Sequence, residues 1–179
     1  MYKRQALGNH AFRNCTNLSE VEGGESLDNI GFDVMENTAW LKNRQDEVAV
    51  LGGKVAVAAP DTAQVTIPDG VTRLADGVFM ERSSLESVAL PESLERIGEK
   101  CFIKCENLES ISLNENLMVI DSYAFYGCTK LKAIQFPASI WIIGFYAFQG
   151  CTALNVAQFG SDSLSLIHIS EPTRLALIS

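Results

Sequence analysis

Histidine is almost missing from this chain: 179 residues carry two, His10 and His168. That scarcity removes the commonest general base and a frequent zinc ligand. Hydroxyl side chains are scattered, and no credible base stands near one. His10 falls in a turn slot. The sequence therefore holds no catalytic constellation, and it does not read as an enzyme. Positive charge is short as well. Lys and Arg number 14 against 22 Asp and Glu, a net charge of −8. That sign argues against binding nucleic acid or an anionic membrane. No internal run is long and apolar enough to span a bilayer, so direct membrane insertion is not expected. Gly52-Gly53 lacks the Lys-Ser/Thr that a phosphate loop needs. The five cysteines include no Cys-x-x-Cys pair and have no histidine partner. No metal or other cofactor is expected.

What the chain does have is a period. Phe79, Phe102, Phe125 and Phe148 return every 23 residues, and Phe12 and Met35 fit the same count. Leu85, Leu108, Leu131 and Leu154 keep it, as do Leu74, Ile97, Ile120 and Ile143. Pro68, Pro91 and Pro137 keep it, with Asn114 in the remaining slot. Cys105, Cys128 and Cys151 share a column with Cys15 and Thr38. Self-similarity at this period means a stacked-repeat architecture. It also absorbs the cysteines, because a free cysteine in a stacked column behaves as a small buried hydrophobe.

Each unit has a physical reading. In Leu131 to Phe136, Ile134 and Phe136 fall on one face of an extended strand. Pro137 ends the strand, since it cannot donate to a ladder. A second apolar stretch runs from Ile140 to Ile143, and Gly144 permits a tight corner. Ala147, Cys151 and Leu154 then fall at i, i+4 and i+7, which predicts a helical turn. One such unit cannot bury its own apolar face, whereas stacked copies close the columns on one another.

The pattern resembles the BspA-like leucine-rich repeats, L-x-x-I-x-L-P-x-x-L-x-x-I-G-x-x-A-F-x-x-C-x-x-L. It reads here Leu85, Val88, Leu90-Pro91, Leu94, Ile97-Gly98, Cys101-Phe102, Cys105, Leu108. The resemblance extends from about Leu7 to Phe159. It departs at Val34-Met35, where the family has Ala-Phe, and at Arg82, where it has Cys. It implies a leucine-rich-repeat solenoid of parallel strands and short helical turns, with about six repeats. It also implies a secreted or cell-surface protein that binds host or neighbouring-cell proteins or glycans.

One interruption breaks the period. Met35 and Phe79 stand 44 residues apart, two short of two full repeats. Residues 38–63 hold the irregularity. Val48 to Leu51, Gly52-Gly53, then Lys54 to Val57 read as a β-hairpin with a two-residue turn. It is either a packed decoration or a protruding binding element. Similar hairpins after a Thr-x-Trp-Leu-Lys stretch, here Thr38 to Lys42, recur in BspA-like proteins, which favours the first.

The ends carry no register. Residues 164–179 resemble the translation of a transposase-type sequencing adapter, and residues 1–5 resemble its reverse strand. They are set apart from fold reasoning. Residues 6–163 form the expected repeat domain, an internal piece of a longer gene. Without Lys3, Arg4, Arg174 and Glu171, it carries 11 basic and 21 acidic residues, net −10.

Function must then lie on the surface. Thr66, Ala89, Ser112, Gln135 and Gln158 face outward on the main strand and are mild and uncharged. Two further columns, read as exposed, change from Thr72-Arg73 and Glu95-Arg96 to Met118-Val119 and Trp141-Ile142. Tyr123 and Tyr146 follow closely. Exposed aromatics and methionine typify interaction sites, so Met118, Tyr123, Trp141, Ile142 and Tyr146 are either the expected binding face or a patch that further repeats or an insertion of the longer gene product cover. The competing expectation is a structural spacer, attached to a catalytic or anchoring domain elsewhere in a larger surface protein.

A solenoid without caps exposes its terminal columns. Hydrogen exchange should show the strongest protection around Phe102 and Phe125 and weak protection near Phe12. Uniform protection out to Phe12 would contradict the picture.

Overall fold

The computed structural model describes residues 5–44, 48–52, 55–58, 61–160 and 168–169. The chain winds as a solenoid of short parallel strands. The elements are β1 (Gln5–Leu7), β2 (Leu27–Ile30), α1 (Ala39–Lys42), β3 (Ala49–Leu51), β4 (Val55–Ala58), β5 (Gln64–Thr66), β6 (Arg73–Leu74) and β7 (Ser87–Ala89). They continue as β8 (Arg96–Ile97), β9 (Ser110–Ile111), β10 (Val119–Ile120), β11 (Ala133–Phe136), β12 (Ile142–Ile143), β13 (Val156–Phe159) and β14 (His168–Ile169). Each regular coil supplies one strand to each of two faces. The first face holds the sheets β5-β7-β9 and β11-β13, and the second holds β14-β12-β10-β8-β6-β4-β3. Pairing follows the sequence period: Val65 lies beside Val88 and Val88 beside Ile111, while Ile97, Ile120 and Ile143 form one row.

The glycine corner is where sequence and structure part. The spacing of Ala147, Cys151 and Leu154 predicts a helical turn, and among the described residues only the Met35 coil puts an α-helix there, α1 capped by Thr38; the corners from Phe79 to Phe148 form none. Two kinds of bond alternate there instead. The amides of Lys100, Phe102 and Lys104 donate to Ser122, Ala124 and Tyr126 of the next coil. The amides between them, Cys101 and Ile103, close turns on Gly98 and Lys100 of their own coil. The next corner repeats this, with Tyr123, Phe125 and Gly127 donating to Phe145, Ala147 and Gln149. An α-helix would turn every amide inward and leave nothing for the neighbour. Positive φ at two residues per corner sets the alternation: Lys100 and Lys104 (both 56°), Tyr123 (60°) and Gly127 (73°), Tyr146 (57°) and Gly150 (80°). Glycine adopts this region freely; other residues there cost about 1–2 kcal/mol each, which the inter-coil bonds offset.

The core is columnar. Phe79, Phe102, Phe125 and Phe148 stack with centroids 4.9, 5.0 and 5.1 Å apart and planes within 10° of parallel. Such pairs add about 0.5–1.5 kcal/mol each beyond area burial. The cysteine column has a defined job. Sγ of Cys105, Cys128 and Cys151 donates to the carbonyl oxygens of Phe79, Phe102 and Phe125 in the preceding coil, at 2.9, 3.1 and 3.1 Å. Each carbonyl also accepts the amide of Arg82, Cys105 or Cys128 in its own coil. Both lone pairs of a buried oxygen are thereby used. Burial pushes the Cys105 thiol up to about 12, and the Cys151 thiol together with burial pushes Cys128 up. Cys101 is raised by burial.

The expected hairpin forms. β3 and β4 pair antiparallel with Leu51 opposite Val55, and β4 pairs parallel with β6. The hairpin thus occupies a strand slot in the second sheet. Gly53 and Lys54 of its expected turn lie outside the described residues. So do residues 161–167 and 170–179 of the C-terminal stretch. The backbone of β14 lies along β12, Ile143 opposite Ile169, a step of 26 residues in place of 23.

Asn114 shows how a substitution in the proline slot is accommodated. It is buried, its Nδ2 donates to Pro91 O (2.8 Å) and Leu94 O (3.1 Å), and its Oδ1 accepts the Asn116 amide (2.8 Å). Asn114→Ala strands these groups and should cost about 1–3 kcal/mol in denaturant unfolding. Cys15 is exposed while Cys101, Cys105, Cys128 and Cys151 are buried. Ellman's reagent should therefore titrate Cys15 alone in the folded protein and all five thiols after denaturation; a second fast native thiol would refute the packed column.

Candidate binding surface

On the second face, main-chain bonds place one column in line. The Trp141 amide donates to Met118 O (3.0 Å), Met118 to Glu95 O (2.9 Å) and Glu95 to Thr72 O (2.8 Å). Trp141 is 50% exposed and Met118 39%. The adjacent column does not match expectation: Val119 and Ile142 are half-buried, not exposed. Ile142 sits between neighbouring strands, with Val119 on one side and His168 on the other. One coil earlier the same column is charged. Arg96 makes a two-pronged bond to Asp121, Nε to Oδ2 at 2.5 Å and Nη2 to Oδ1 at 2.9 Å. The surface thus changes from ion-paired to apolar within a single 23-residue step.

Around the glycine corner lies a second aromatic group. Tyr123 and Tyr146 are half-buried and stack at 5.2 Å, and Tyr126 tilts against Tyr123 at 5.8 Å. Their positive φ turns the side chains into one column over Lys100, whose Nζ lies 5.9 Å from the Tyr123 ring centroid. The Lys100 ammonium is raised by its bond to Glu99. Toward the N-terminus the corner becomes acidic. Asp76 accepts the Glu99 amide at 2.9 Å, yet burial and the nearby Asp121 and Glu99 raise its pKa.

Phe145, which the sequence reading missed, is 55% exposed, more than any other large apolar residue among those described. It stands between Trp141-Ile142 and Tyr146 in sequence, with Gly144 forming the bend. Its column otherwise reads Asn9, Phe32, Asp76, Glu99 and Ser122. An aromatic after three polar residues of the column was the available signal. The structure thus gives the Trp141 strand and the Tyr146 corner on successive sides of one bend. Such a surface can stack on flat or apolar groups. The main-strand face matches expectation: Thr66, Ala89, Ser112, Gln135 and Gln158 are exposed. A shallow groove of about 350 Å³ runs there beside Ser112, Gln135 and Gln158. Among the described residues, no group of three or more His, Cys, Asp or Glu could hold a metal, and no helix is long and apolar enough to cross a membrane.

The search of curated proteins returns no significant match. Among solved structures, the chain is similar to a leucine-rich repeat protein of T. pallidum at 31% identity and TM-score 0.54. That match covers 62% of this chain and 57% of the T. pallidum one, so the chain spans little more than half of that relative. Two matches at lower identity share the fold. The pneumococcal vaccine antigen PcpA is 24% identical with TM-score 0.64, over 88% of this chain and 43% of its own. A leucine-rich cell surface protein of Faecalibacterium prausnitzii is 23% identical with TM-score 0.52, over 92% and 54%. The model of the BspA type leucine-rich repeat region matches residues 3–45 and 58–170 in six copies. The six copies agree with the six stacked cores from Phe12 to Phe148, and the chain belongs to the BspA-type leucine-rich repeat family.

Proposed function

We propose that this chain is a non-catalytic recognition module of a secreted or cell-surface, adhesin-like protein, and that it binds host or neighbouring-cell proteins or glycans. The observation that carries the reading is the exposed apolar pair Trp141 and Phe145, which the core does not need. Exposed aromatics bring large contact area at small entropic cost and typify binding hot spots. Met118 extends the face along the column, Ile142 supports it from below, and Tyr123 and Tyr146 continue it round the bend. The relative from F. prausnitzii, described as a cell surface protein, supports the location. The acidic charge supports a protein or glycan ligand over a nucleic acid.

Screening the whole chain against arrays of extracellular proteins and of glycans should return ligands. Trp141→Ser and Tyr146→Ser should each weaken the strongest at least about tenfold while thermal stability holds. Unchanged binding at unchanged stability would remove this face and favour the spacer role.

A further inference from the structure

The three anomalies of the repeat meet at one place. Val34-Met35 stands where the pattern has Ala-Phe, Arg82 where it has Cys, and the hairpin supplies strands where a whole coil belongs. The corner of Met35 and the corner of Phe79 are consecutive in space: the Asp76 amide donates to Ile30 O at 3.1 Å, as Asp121 does to Ile97 across two regular coils. A Cβ on Gly77 would come within 2.9 Å of Phe32 Cβ. The corners touch there and then part. Among the described residues, the corner-to-corner bonds between successive coils fail at this step alone. Amides of His10, Phe12 and Asn14 bond Phe32, Val34 and Glu36, and those of Gly77, Phe79 and Glu81 bond Glu99, Cys101 and Ile103. Among the described residues, the amides of Asp33, Met35 and Asn37 find no carbonyl, and the carbonyls of Asp76, Val78 and Met80 receive no amide.

A cavity of about 230 Å³ lies between these two rows, walled by apolar Met35, Leu41, Val57, Val78 and Met80 and by charged Asp33, Glu36, Asp76 and Arg82. Met35 and Val78 are buried, at 1% and 6% exposure, so their unbonded main-chain groups are not simply hydrated at an open surface. Buried amides without a partner are rare in folded chains. Arg82 adds to this. A cysteine in its slot would have no phenylalanine carbonyl of a preceding coil to bond, and its own Nη1 is buried without a partner. Donors on one wall and acceptors on the other, one coil apart, match the two edges of a single polypeptide main chain.

We propose that this wedge is a peptide-binding site. It takes a short segment of a partner protein, held through its main chain, beyond the Phe32–Gly77 contact, between the amides of Met35 and Asn37 and the carbonyls of Val78 and Met80. Apolar side chains of the segment pack on Met35 and Val78. Recognition is of the strand-addition kind, in which main-chain bonds give affinity and pockets select side chains. The site is separate from the Trp141 face, and either can fail without the other.

The probe is a capped hexapeptide copying residues 122–127, Ser-Tyr-Ala-Phe-Tyr-Gly. In its own coil that segment accepts from Lys100, Phe102 and Lys104 and donates to Phe145, Ala147 and Gln149. Added to the whole chain, it should slow hydrogen exchange at Met35 and Asn37 saturably, roughly tenfold once it exceeds its Kd about tenfold. N-methylation at its second, fourth and sixth residues should abolish the effect, as should Met80→Trp, which fills the cavity. No slowing at saturating solubility overturns the proposal. So does equal slowing by the N-methylated peptide, or slowing confined to residues 146–150, which would mean addition to the last coil. If Met80→Trp does not fold, the N-methylated peptide decides alone.

Discussion

The alternating main-chain ladder at the corners is the bond on which the rest of the solenoid depends. Amides such as Lys100, Phe102 and Lys104 reach forward to the next coil, while those between them close their own turn. This forces each residue to stand over its counterpart 23 positions away. Side chains of one column then meet in register, and chemistry chosen once can be repeated. The Phe79 to Phe148 stack follows from that registry, as do the surface pairs Lys104–Glu81 and Lys132–Glu109. Those exposed pairs are worth little in energy, about 0–1 kcal/mol each. They mark the registry and do not create it.

The cysteines illustrate how a polar requirement can sit inside an apolar column. A phenylalanine carbonyl at the corner has two lone pairs, and the turn uses one. The thiol of the next coil uses the other, and its bulk fills the column at the same time. Serine would bond as well but pack less; alanine would pack and leave the oxygen short. Thr38 solves the same problem locally, bonding Met35 O of its own coil at 2.8 Å while its hydroxyl caps the Leu41 amide.

Repetition made most of the fold legible from the sequence alone. Phe102, Leu108, Ile120 and Cys128 recur, so their burial could be read from spacing, and all four are fully buried. What spacing could not give was the corner geometry, because i, i+4, i+7 also suits a helix. The left-handed residues that decide against it are of mixed type, Lys100, Lys104, Tyr123 and Gly127, and leave no compositional trace. Exposure within the candidate face was only partly legible. Trp141 and Met118 could be found as apolar residues in a polar column, whereas Ile142 is shielded by strands that spacing does not show. Phe145 breaks its column less plainly than Trp141 does, because Phe32 stands in the same slot of an earlier coil. The opening beside Met35 was out of reach, since it arises from what the hairpin omits and not from any residue present.

That opening has a mechanical side. A regular solenoid takes its curvature from the small rotation between coils. Between the corners of Met35 and Phe79 the hairpin extends the sheet side, β4 on β6 and β3 on β4, and among the described residues no coil stands on the corner side. In a crystal this would be a stacking fault ending in a dislocation, and such a line is where a rod yields first. The coils of Phe12 and Met35 form a short lever on one side of it, and the four coils from Phe79 to Phe148 form a stiff arm on the other.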